Sequence, residues 1–158
     1  MRVIFLDFDG VLNVDTDEPD TSGELWTERW LDETLVGRLA RLVELSDARV
    51  VISSSWRQRR TLAELEAMLA LRGYSGGVLG VTPRLPRPAE GETLVRASEI
   101  AAWLDAHAEV SAFVILDDDR DFGPLTARHV RTDSAVGLTE EDVRRALHLL
   151  GDTTPFEG

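Results

Sequence analysis

Asp7 and Asp9 stand two residues apart in the stretch VIFLDFDGVLN, Val3 to Asn13. Two carboxylates this close cannot both be comfortable as bare anions, and a bound divalent cation or a shared proton relieves the repulsion. Two further stretches bring polar groups after an apolar run. Arg49 to Ile52 leads into Ser53, Ser54, Ser55, Trp56 and Arg57, where hydroxyls and backbone N–H groups can cradle an oxyanion. Ala112 to Leu116 leads into Asp117, Asp118, Asp119, Arg120 and Asp121. Taken alone, the first pair could cap a turn and the second stretch could be a serine-rich turn. Acid, hydroxyl and acid delivered in the same way describe a site more economically.

The elements that position these groups follow from the pattern. Each run is apolar on both alternating faces, as in a buried parallel strand, and ligands in open α/β sheets bind just beyond the strands' carboxyl ends. Phe8 then turns into the core, and Gly10 lets the backbone bend sharply after the carboxylates. Leu31, Leu35, Leu39, Leu42 and Val43 recur at helical spacing. Thr61 and Glu64 form a capping box before Leu62 to Leu71, which Gly73 ends. A short strand is expected at Val78–Val81, a helix from Arg96 to about His107, a last strand at Arg128–Thr132, and a closing helix capped by Thr139 through Leu150. Strands alternating with helices predict an α/β fold: a single Rossmann-like three-layer sandwich with a central, mostly parallel sheet.

Two irregular segments complete the chain. Residues 13–28 are polar and acidic and read as a short flap over the site; Trp26 at its end could border a substrate, and Trp30 suits the core. Thr82 to Glu92 carries Pro83, Pro86, Pro88 and Gly91 and reads as a loop at the site's edge. The interval from Asp9 to Ser53 leaves no room for a large cap domain. One domain over residues 1–150 and a frayed tail at 151–158 are expected.

Composition narrows the function classes. The chain has 158 residues, 43% of them hydrophobic, and no cysteine, which excludes disulfides and thiolate metal sites. All 17 basic residues are arginine, so Schiff-base lysine chemistry is excluded. A net charge of −12 disfavours long-range attraction to nucleic acid, and no stable nucleic-acid complex is expected. No run is long enough to span a membrane, so no membrane partner and a cytoplasmic location are expected. His107, His129 and His148 have no ligand-like spacing and read as structural or surface groups. Oligomeric state is not legible.

FLDFDGVLN resembles the nucleophile motif of the haloacid dehalogenase superfamily, and its short VLN form resembles the small phosphatase domains related to RNA-repair proteins. The resemblance extends over about Met1 to Leu150. It maps Ser53 onto the second motif, with Ser54 offering a backbone donor, and an acidic fourth motif onto the Asp117–Asp119 run. The third motif is a basic residue, usually lysine, and here Arg96 or Arg87 takes its place. A response-regulator receiver would need its aspartate at the middle strand, where Ser53 stands, and a later lysine.

What the resemblance implies is a Mg²⁺-dependent phosphomonoester hydrolase acting through an aspartyl-phosphate. Asp7 is the nucleophile, Asp9 the acid and then the base, and Ser53 and Arg96 complete the catalytic set. Gly10, Ser53, Ser54 and Arg57 lie on the substrate side, Arg57 with Arg59 and Arg60 adding positive potential at the rim unless they are simply solvated. Mg²⁺ falls to Asp7, the Asp9 carbonyl and Asp118 with Asp117 orienting it, or with the last two exchanged. The substrate is a phosphorylated small molecule, a nucleotide or a nucleic-acid end. The alternative function is a non-catalytic phosphate- or Mg²⁺-binding regulatory or interaction module of the same fold.

Overall fold

Strands that are apolar on both faces must be covered on both sides, and the computed structural model of the chain does this around five parallel strands. It describes residues 1–14, 31–86 and 95–151. Most of the expected flap, with Trp26 and Trp30, the rival basic residue Arg87, and the tail beyond Gly151 lie outside the described residues. In chain order the elements are β1 (Arg2–Leu6), α1 (Glu33–Ser46), β2 (Arg49–Ile52), α2 (Leu62–Leu71), β3 (Gly80–Val81), α3 (Val95–Asp105), β4 (Ala112–Asp117), β5 (His129–Arg131) and α4 (Glu140–Gly151). Short 3₁₀ turns at Ser55–Gln58 and Gly123–Arg128 follow β2 and precede β5.

The sheet order is β3-β2-β1-β4-β5. β1 is thus central, with Leu6 paired to Ile52 on one side and to Leu116 on the other. The crossovers run outward in opposite directions from β1 and β4, so the gap beyond their carboxyl ends is the sheet's topological switch point.

Side chains alternate between the two covers. Ile4, Leu6, Val50, Ile52, Val114 and Leu116 pack with Leu35, Leu39 and Leu42 of α1, Leu65 and Leu69 of α2, and Val143 and Leu150 of α4. Val3, Phe5, Val51, Phe113 and Ile115 pack with Ala97, Ile100 and Trp103 of α3. The result is the expected three-layer arrangement.

Local signals set the helix ends. The Asp32 side chain accepts from the Leu35 amide at 3.0 Å to start α1, and both halves of the Thr61–Glu64 capping box are formed at α2. Thr139 accepts from the Asp142 amide at 3.1 Å and opens α4. Two strands are shorter than expected. β3 pairs only at Gly80–Val81, although the Leu79 amide already reaches the Val50 carbonyl at 2.8 Å. β5 begins at His129 because Arg128 belongs to the preceding 3₁₀ turn.

Candidate active site

The period of two along a strand decides which polar groups meet. Asp7 follows Val3 and Phe5 in phase, Ser53 follows Val51, and Asp117 follows Phe113 and Ile115, so all three side chains belong to the face that α3 covers. Their backbones stand level: the Ser53 amide donates to the Leu6 carbonyl at 2.9 Å and the Asp7 amide to the Leu116 carbonyl at 3.0 Å. Arg96, in the first turn of α3, arrives over this row. Its Nη1 lies 3.1 Å from Asp7 Oδ2 and 2.8 Å from Asp117 Oδ2.

Asp7, Asp117 and Asp118 each offer one carboxylate oxygen within 4.8 Å of the others. Asp7 is 3% exposed and Asp117 is fully buried, whereas Asp118 is half-buried. Burial pushes the Asp7 carboxyl well above the usual carboxylate range, Asp117 adds to this, and Arg96 offsets only part of it. Burial and the neighbouring Asp117 raise Asp118 as well. Burial alone would lower the Arg96 guanidinium, but Asp7 and Asp117 outweigh it and hold the group charged.

One guanidinium cannot balance three carboxylates, so a retained proton or a bound cation must offset the rest, and the donor set is all oxygen. That set suits a hard divalent cation. Asp117 has its oxygens engaged already, Oδ2 by Arg96 and Oδ1 by the Asp119 amide at 2.9 Å. The Asp118 carboxylate packs against Gly10, where an added Cβ would fall 2.3 Å from Asp118 Oδ2; Gly10 also has φ +76°, so both space and backbone call for glycine.

Asp9 points to the exposed side. Its Oδ1 accepts from Asn13 Nδ2 at 2.9 Å and its Oδ2 from Trp56 Nε1 at 2.9 Å. Ser53 Oγ is fully buried and has no hydrogen-bond partner, an arrangement that carries a cost unless a ligand supplies one. The Ser54 hydroxyl accepts from the Trp56 amide at 3.2 Å and caps the 3₁₀ turn.

Arg57 departs from the expectation of a rim charge. Its side chain is 5% exposed and pairs with Glu99 of α3 at 2.7 Å, while the guanidinium also donates to the carbonyls of Ser53, Ser54 and Thr82. The pull is inward because the Ser53 and Thr82 carbonyls, just past the ends of β2 and β3, have no continuing ladder to satisfy them.

Sequence reasoning singled out neither Asn13, Trp56, Glu99 nor Thr132. Asn13 closes the FDGVLN turn, its Oδ1 accepting from the Gly10 amide at 2.8 Å, and its position in that motif was the available signal. Thr132 Oγ1 donates to the Gly10 carbonyl at 2.7 Å from the end of β5. His129 is buried beneath the site with Nε2 2.9 Å from the Asp117 carbonyl, and burial lowers its pKa.

Among the described residues no helix is long and apolar enough to cross a membrane. No curated protein and no solved structure matches the chain. A family described as the HAD domain in Swiss Army Knife RNA repair proteins matches residues 3–143. That span takes in the five described strands but for Arg2 and the whole acidic cluster at the switch point, and the chain belongs to this HAD family, whose superfamily is one of phosphatase-like hydrolases.

Proposed function

We propose that the protein is a Mg²⁺-dependent phosphomonoester hydrolase that works through an aspartyl-phosphate on Asp7. The observation that carries this is the buried Asp7 carboxylate, set between Asp117, Asp118 and the Arg96 guanidinium at the ends of β1 and β4. A carboxylate buried among like charges is poorly placed as a structural group and well placed as a nucleophile.

An oxygen of Asp7 attacks phosphorus, the bond to the departing alcohol oxygen breaks, and Asp9 gives that oxygen its proton. Water then attacks the aspartyl-phosphate and loses its proton to Asp9, and the bond from phosphorus to the Asp7 oxygen breaks. Ser53 Oγ and the Ser54 amide donate to non-bridging oxygens as charge shifts onto them. Arg96 keeps the buried carboxylates paired and oriented through both steps.

Asp7, Asp118 and the Asp9 carbonyl would hold Mg²⁺, with Asp117 orienting Asp118. When bound, the cation shields the anionic nucleophile from the anionic phosphate.

The substrate we favour is a nucleotide or the phosphorylated end of a polynucleotide, in keeping with the family's association with RNA repair. The charge of −12 argues for a local grip on the terminal phosphate over an extended nucleic-acid interface. Phosphate release from free nucleotides and from 3′- and 5′-phosphorylated oligoribonucleotides tests this. Release from one class of end with Mg²⁺, and none with chelator, is the expected result. Mg²⁺ binding without release from any ester would instead identify a binding module.

A further inference from the structure

An exposed aspartate ordinarily samples several rotamers, and water satisfies its oxygens at little cost. Asp9 is exposed, yet a rigid group holds each of its oxygens: the Asn13 amide on Oδ1 and the Trp56 indole on Oδ2, both at 2.9 Å. Resting on the hydrolase reading above, we infer that Trp56 and Asn13 form a clamp that fixes the Asp9 carboxylate for proton transfer, with Trp56 its principal positioning residue.

Each arm of the clamp is itself fastened to a residue adjoining Asp9. Asn13 Oδ1 accepts from the Gly10 amide at 2.8 Å, which turns the Nδ2 side of the amide toward Asp9. The Trp56 ring meets the buried Phe8 ring edge-on, with centroids 5.3 Å apart and planes at 71°. Its backbone amide is tied to Ser54 Oγ at 3.2 Å. The arms therefore come from two different segments, one from the turn after β1 and one from the 3₁₀ turn after β2, and their anchors Gly10 and Phe8 flank Asp9 in the chain.

The clamp leaves the chemistry room. A carboxylate has about four lone-pair sites, and two accepted hydrogen bonds leave each oxygen a position that can carry a proton. Fixing the rotamer matters for a group that serves in two successive steps, first giving a proton to the leaving oxygen and then taking one from water. Misplacement of about 1 Å can cost on the order of a hundredfold in rate.

Trp56→Phe keeps the aromatic contact with Phe8 and removes only the indole N–H. The test compares kcat/KM on an alkyl phosphate, whose leaving oxygen needs the proton, with p-nitrophenyl phosphate, whose leaving group departs readily without it. We expect a loss of about tenfold or more on the alkyl ester and within about threefold on the aryl ester. In an Asp9→Asn background the same substitution should cost nothing further on the alkyl ester. Independently of turnover, the ¹⁵N-labelled Trp56 indole resonance, assigned by its absence in Trp56→Phe, should shift in Asp9→Asn. Equal losses on the two esters, a multiplied loss in the double variant, or an indole resonance indifferent to Asp9→Asn would overturn the clamp. An active wild type with an unselective Trp56→Phe loss sinks the clamp alone, whereas a wild type inert on both esters sinks the hydrolase reading and the clamp's catalytic role with it.

Discussion

Nη1 of Arg96 lies 3.1 Å from Oδ2 of Asp7, and the same nitrogen reaches Asp117 Oδ2 at 2.8 Å. One nitrogen serving both carboxylates means that the site needs a cation at a point more than it needs a guanidinium fork. Arg96→Lys should therefore retain measurable phosphatase activity, while Arg96→Met should lose it by about a hundredfold or more and unfold at lower temperature. Steady-state rates on an aryl phosphate and thermal melts of both variants check this. Equal loss in the two would show that the fork is required.

The Asp7 carboxyl is raised, first by burial and then by Asp117, so the metal-free native state keeps a proton that the unfolded chain has released. Stability then falls as pH rises from the ordinary carboxylate value of 3.8 through the raised value. Asp118 is raised too and adds a slope of the same sign. His129, lowered by burial, acts oppositely and loses its contribution as pH falls below about 6.5. The difference between wild type and Asp7→Asn isolates Asp7. With chelator present, Asp7→Asn should melt above wild type at pH 8, and the gap should close toward pH 5. Mg²⁺ should raise the wild-type melting temperature more at pH 8 than at pH 5, because protons compete with the cation.

Gly10→Ala forces a Cβ to within 2.3 Å of Asp118 Oδ2 at a backbone φ of +76°. Asp118 must swing away, and the left-handed backbone costs about 1–2 kcal/mol. Mg²⁺ affinity by calorimetry should drop about tenfold or more, a penalty of the size that disturbed ligand support produces. Unchanged affinity would remove Asp118 from the metal site.

The Arg57–Glu99 pair, 5% and 7% exposed, predicts a loss of stability when one partner is removed. Arg57→Met leaves the Glu99 carboxylate buried without its guanidinium and the Ser53 and Thr82 carbonyls without their side-chain donor, and should cost about 3–5 kcal/mol. Arg57→Met combined with Glu99→Leu should recover part of that loss, since no unpaired charge remains. Denaturant unfolding of the single and double variants measures both.

The central sheet and its acidic edge could be read from the chain because β1, β2 and β4 each carry a continuous apolar run that stops at a polar group. Asp7, Ser53 and Asp117 then share a face by strand period alone. Arg96 was visible as a basic residue at a helix start, and Thr61 with Glu64 as a capping box. What the sequence hid depends on contacts between distant loops. Trp56 reaches Asp9 across 47 positions and Arg57 reaches Glu99 across 42, and no local pattern encodes either meeting. In the chain Arg57 reads, with Arg59 and Arg60, as positive potential at the rim or as a solvated charge. The carbonyls that draw it inward exist only once β2 and β3 end side by side.

The most direct test is Mg²⁺-dependent hydrolysis of p-nitrophenyl phosphate by wild type and Asp7→Asn measured side by side, with chelator as the control. Wild type should turn over the ester until chelator is added, and a folded Asp7→Asn should turn over at least about a thousandfold more slowly. Turnover by a clean Asp7→Asn preparation at the wild-type rate would contradict the role of Asp7 as nucleophile.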